Sequence, residues 1–93
     1  MKKFYFTEKM NNKKYNNAEI TIYQLFKNNL KYIGSVYYST ASTRGAESEV
    51  LHYVCKMGLV PKKVLELSKS DWSDAGYYCA AIEDKYCLIK RIY

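Results

Sequence analysis

The apolar pattern of this chain changes period once, and that change limits the architectures open to it. From Phe4 to Tyr38 the strand-forming residues suit a repeat of two, whereas from Ala46 to Met57 the apolar residues recur at about 3.6. A third block, from Tyr77 onward, returns to strand-forming composition. A helix set between two groups of strands places the chain in the α+β class. The sequence predicts an antiparallel sheet of about five strands, built from two hairpins plus an N-terminal strand, with one or two helices packed on one face.

The boundaries follow from local chemistry. Residues 3–10 read as the first strand, and the polar stretch 11–17 as a loop of residues that tolerate turn conformations. Ala18–Lys27 is the second strand, carried by Ile20, Thr21, Ile22 and Tyr23. Asn28-Asn29 is expected to form a two-residue turn, since asparagine accepts the positive φ that a type I′ turn requires. Leu30–Tyr38 then returns, with Tyr23 opposite Gly34 and Leu25 opposite Tyr32.

Ser39–Gly45 is rich in small and hydroxyl residues and interrupts the strand pattern. In the helix Val50, Leu51, Val54, Cys55 and Met57 share one face, while Glu49, His52 and Lys56 share the other. Glu47 and Glu49 near its start, Lys56 near its end and Gly58 just beyond match the helix dipole and a left-handed cap. Pro61 can open a second short helix carrying Val64, Leu65 and Leu67, although Val64 to Leu67 equally fits a strand. Ser68–Gly76 reads as a loop, and Tyr77–Ile82 and Tyr86–Ile92 as a closing hairpin.

At 93 residues the chain makes one domain, residues 1–93, with a small core. Lysine and arginine exceed aspartate and glutamate by 15 to 9, so an anionic partner is favoured. The excess is lysine; Arg44 and Arg91 are the two arginines able to make bidentate contacts, which argues against base-specific readout. Codon usage in an AT-rich genome accounts equally well for part of this charge. With an odd number of cysteines and no apolar leader after Met1, the expectation is a cytoplasmic protein whose Cys55, Cys79 and Cys87 are free thiols. No run approaches the roughly 18 apolar residues that would span a bilayer as a helix.

His52 and Cys55, three apart on the helix, with Cys79 and Cys87 would make a zinc set, but the spacing departs from the close pairs of structural zinc sites, and no metal or cofactor is expected. Residues 39–45 lead into a helix N-terminus with Arg44 nearby, yet they lack a P-loop core, and Thr43 suffices as a cap. The Asp74 to Cys79 stretch is similar to the end of an immunoglobulin variable domain, but the earlier cysteine and following tryptophan of that fold are missing in order, and the likeness is set aside. The carboxylates give no acid–base pair in an apolar pocket, so the chain is not expected to be an enzyme.

Binding is what remains. Eleven tyrosines interleave with lysine, a composition that suits either single-stranded nucleic acid or a protein interface. The partner-binding candidates are Trp72, Tyr15, Lys13, Lys14, Lys62, Lys63 and Arg44. Trp72 in its loop is read either as a lid on the core or as an interface anchor. As a whole-chain profile, a lone small basic domain with lysine, asparagine and tyrosine bias resembles the accessory proteins of phages and mobile elements, among them inhibitors of host defence of the anti-CRISPR type. That resemblance implies a stoichiometric inhibitor docking on a host protein or ribonucleoprotein; the alternatives are a nucleic-acid-binding module working through lysines and tyrosines and, third, a small enzyme.

Overall fold

The computed structural model describes residues 2–12, 17–39, 45–67, 77–82 and 85–92. The elements run β1 (Lys2–Asn12), β2 (Asn17–Phe26), β3 (Asn29–Ser39), α1 (Gly45–Lys56), α2 (Val64–Leu67), β4 (Tyr77–Ile82) and β5 (Lys85–Arg91). The class is α+β, and the strands form a mixed sheet in the order β3-β2-β1-β5-β4.

The purely antiparallel sheet expected from the sequence is corrected here. β1 pairs antiparallel with β2, but on its other edge it pairs parallel with β5, Phe4 opposite Ile89 and Phe6 opposite Arg91. Parallel neighbours need a long crossover, and the stretch containing α1 supplies it. β5 takes this place because Cys87 and Ile89 then join Phe4 and Phe6 beneath the helix.

The turn between β2 and β3 also sits one residue earlier than expected. Lys27 and Asn28, with φ of 44° and 69°, are its two central residues, and Phe26 pairs with Asn29. Tyr23 therefore lies opposite Tyr32, and Leu25 opposite Leu30. A register shift follows, so that Ile22 rather than Tyr23 faces Gly34. The extra residue, Ile33, has its carbonyl satisfied from the helix, where the Tyr53 hydroxyl donates to it at 3.0 Å. That contact requires glycine next door: a Cβ on Gly34 would lie 1.8 Å from the Tyr53 hydroxyl oxygen.

β2 alternates strictly between buried and half-buried residues, the mark of a sheet covered on one side. Ile20 and Ile22 of β2 and Phe4 and Phe6 of β1 are fully buried against Val50, Leu51 and Val54 of α1. Each such side chain contributes about 1.5–3 kcal/mol by leaving water. The helix ends in a Schellman motif: the Leu59 amide donates to Val54 O at 3.0 Å, the Gly58 amide to Cys55 O at 3.1 Å, and Gly58 has a φ of 76°. Met57, placed on the apolar face by periodicity, instead follows the last helical residue and is exposed. Residues 64–67 are helical, their amides at Val64 and Leu65 donating to Pro61 O and Lys62 O. Among the described residues no helix is long and apolar enough to cross a membrane.

Candidate binding face

The sheet residues that point away from α1 form a second surface. On β1 they are Lys3, Tyr5, Thr7 and Lys9; on β2, Glu19, Thr21, Tyr23 and Leu25; on β3, Leu30, Tyr32, Ser35 and Tyr37; on β5, Leu88 and Lys90. All are half-buried or exposed, whereas Phe4 and Phe6 of β1, Ile20 and Ile22 of β2 and Cys87 and Ile89 of β5, one residue out of step with them, make the core.

Register turns this surface into rows. One row crosses the sheet through Lys90, Tyr5, Tyr23 and Tyr32, each directly opposite the next on the adjacent strand. At its far end Lys90 pairs with Tyr77 of β4. The next row is Thr7, Thr21 and Ser35, all hydroxyl side chains, and the one after is Lys9, Glu19 and Tyr37. Backbones of adjacent strands lie about 4.8 Å apart, so aromatic side chains in one row must touch. The Tyr23 and Tyr32 rings pack edge to face with centroids 6.2 Å apart. Tyr32 keeps 58% and Tyr37 68% of its surface exposed.

Lysine outnumbers carboxylate on this face among the described residues, although Lys90 has an interaction partner of its own. Lys3, Lys9 and Lys90 stand against a single carboxylate, Glu19, among the described residues. Glu19 in turn engages Tyr37, whose hydroxyl pKa is raised by its hydrogen bond to that carboxylate, by the negative charge and by slight desolvation.

A different polar cluster lies on the helix-covered side. Arg91 reaches from the end of β5 to the Glu8 carboxylate, and its other terminal nitrogen lies 3.6 Å from Glu47 of α1. The guanidinium also sits over the Phe6 ring, 5.1 Å from the centroid. The Tyr38 hydroxyl donates to the second Glu8 oxygen at 2.8 Å, and its pKa is pushed up to about 12 by burial first and then by Glu8. The cluster ties β1, β3, β5 and α1 together by charge-assisted hydrogen bonds. Two carboxylates held by one arginine are engaged in structure, which supplies no reason to read them as an acid–base pair.

Of the candidates named from the sequence, the structure describes Lys62 and Lys63. Lys62 and Lys63 are exposed in the turn joining α1 to α2, on the side the helices cover. Tyr15, Lys13, Lys14, Arg44 and Trp72 lie outside the described residues, as does the expected Thr43 cap. Arg91, one of the two potential bidentate arginines, spends its fork on Glu8 and Glu47. Cys55 and Cys87 are buried and in no disulfide; burial raises the Cys55 pKa, and its thiol donates to Pro61 O at 3.7 Å, which makes it a weak nucleophile. The Cys79 side chain lies outside those described. Among the described residues no group of three metal-ligating side chains converges.

Tyr5, Tyr23 and Tyr32 were not singled out by sequence. Their positions at 5, 23 and 32 become a row only through the register of three strands, and that register depends on a turn placed at Lys27-Asn28 and on the irregularity beside Ile33. Comparison of the chain with family models, with curated proteins and with solved structures finds no match.

Proposed function

We propose that this protein acts by binding, not by catalysis, and that it docks stoichiometrically on a host protein or ribonucleoprotein through the helix-free face of its sheet. The observation that carries this reading is the row Tyr5, Tyr23 and Tyr32, rigid aromatic side chains held side by side on a face that no described helix covers. Tyrosine combines large contact area with few rotatable bonds, so a preformed row loses little entropy on docking. The whole-chain profile, similar to that of small inhibitors of host defence, supports the choice of partner.

The test is capture from a host lysate, with and without nuclease, by the parent protein and by Tyr32→Ala, read by quantitative mass spectrometry. Tyr32 is mostly exposed, so the variant should unfold at the parent's midpoint. As an interface anchor its loss should weaken capture by about 2 kcal/mol or more, some thirtyfold. Equal capture by the parent and by a Tyr5→Ala, Tyr32→Ala double variant would remove this face from the account.

A further inference from the structure

Resting on that reading of the sheet face, and on a ribonucleoprotein as its partner, we infer that what the face contacts is an unpaired nucleic-acid strand of that partner, laid across the sheet along the tyrosine row with its phosphates near Lys3 and Lys9. Three observations converge. The row presents aromatic side chains on three adjacent strands, and base stacking on such side chains is tolerant of sequence because every base has a π-face. Tyr23 and Tyr32 meet edge to face, so their ring planes differ by 71° and the two cannot serve one flat ligand together; bases splayed from a flexible backbone can meet each ring separately.

The charge distribution gives the second observation. Lys3 precedes Tyr5 by two residues and Lys9 follows it by four on the same strand, so both stand on the tyrosine face, one on each side of the row. A chain crossing the strands at Tyr5 passes between two ammonium groups. The face's one described carboxylate, Glu19, lies two rows from the tyrosines and directly opposite Lys9, so the tyrosine row itself holds no carboxylate among the described residues, and of the two ammonium groups Lys3 is the one with no described carboxylate across from it.

The third observation is that no arginine stands on this face among the described residues. Arg91 is turned to the other side and held by Glu8 and Glu47. Lysine binds phosphate as a point charge without the bidentate fork that reads guanine. The Thr7, Thr21 and Ser35 row beside the tyrosines adds hydroxyls that can meet sugar or phosphate oxygens. The site is thus built for strand chemistry without base choice.

The experiment uses the full chain and two fluorescein-labelled probes, a twelve-residue oligothymidylate and the matching oligouridylate, with anisotropy read at 50 and 200 mM salt. Two lysine–phosphate contacts imply a slope of about −1.4 in log affinity against log salt, hence about sevenfold weaker binding at the higher salt. Tyr23→Leu and Tyr32→Ala should each weaken binding roughly tenfold, with circular dichroism and unfolding midpoint unchanged. Lys9→Glu should flatten the slope equally for both probes. The comparison of the two probes shows whether DNA or RNA is preferred; a preference in either direction agrees with the inference. A twelve-base-pair duplex should bind less well than either single strand. Absence of salt-sensitive binding to both single strands overturns the inference, as does unchanged affinity in Tyr32→Ala. If neither single strand binds while Tyr32→Ala still loses a lysate protein in nuclease-treated extract, the nucleic-acid inference fails and the docking face stands. If neither measurement responds to Tyr32→Ala, both fail.

Discussion

The two faces of this sheet are cut from the same strands, one residue out of step, and they have opposite chemistry. Phe4, Phe6, Ile20 and Ile22 point one way and are fully buried; Tyr5, Thr7, Thr21 and Tyr23 point the other and keep part of their surface in water. The covered face is mostly aliphatic and aromatic carbon, with buried Gln24 and the Arg91 cluster as its polar exceptions; most side chains of the open face carry a polar atom. Strand geometry enforces this division, because successive side chains point to opposite faces. The lesson is that stability and recognition are separable here residue by residue: a substitution at Phe4 or Phe6 should damage folding, and one at Tyr5 should damage binding.

The sharpest way to break that division is Phe6→Ala. Phe6 is fully buried, packs in the main cluster and lies under the Arg91 guanidinium, so truncation should cost about 3–5 kcal/mol, read as a lowered denaturant midpoint. The matching change one residue away, Tyr5→Ala, should cost far less. Similar losses from both would mean that the open face is covered after all.

Gly34→Ala probes the junction between β3 and α1. The added methyl collides with the Tyr53 hydroxyl, which must move and give up Ile33 O, at a cost of about 1–3 kcal/mol. The cost should largely vanish when Tyr53 is replaced by alanine, since the two residues act through one contact. An additive double variant would contradict this account of the glycine.

The smallest expected effect is on pH dependence. Tyr38 holds its proton more tightly when folded, with a pKa raised to about 12 from a usual value near 10. A folded pKa above the unfolded one gives stability that is fully present below pH 10 and is lost as pH rises from about 10 to 12. Tyr38→Phe should flatten that part of the stability–pH curve, measured against the parent by urea unfolding at pH 9, 10 and 11. An identical curve for the variant would show that burial of Tyr38 and its contact with Glu8 do not raise its pKa on folding.

Much of the covered face was legible before the structure. The spacing of Val50, Leu51, Val54 and Cys55 identified the helix and its buried side, and Gly58 marked its end, because both signals are local. The α+β class followed from the same change of period. What local pattern could not supply was which strands become neighbours. β5 beside β1 in parallel is decided by how the crossover packs on Phe4 and Phe6, a tertiary matter. The hairpin was foreseen but moved by one residue, since Lys27 accepts a positive φ when the strands on either side pair better for it. The open face suffered most from this. Tyrosine excess announces an aromatic surface; Tyr15 and Trp72 lie outside the described residues, and the row through Tyr5, Tyr23 and Tyr32 exists only once three registers are known.

The central claim is that the helix-free face meets the partner, and hydroxyl-radical footprinting of the bound protein tests it most directly. Oxidation at each residue is compared by mass spectrometry with and without saturating oligothymidylate or the captured host complex. Tyr32, 58% exposed when free, should be protected along with Tyr5 and Tyr23, while Met57, 55% exposed beyond the helix, should oxidise equally in both states. Protection of Met57 with no change at Tyr32 would place the partner on the helix side and contradict the account.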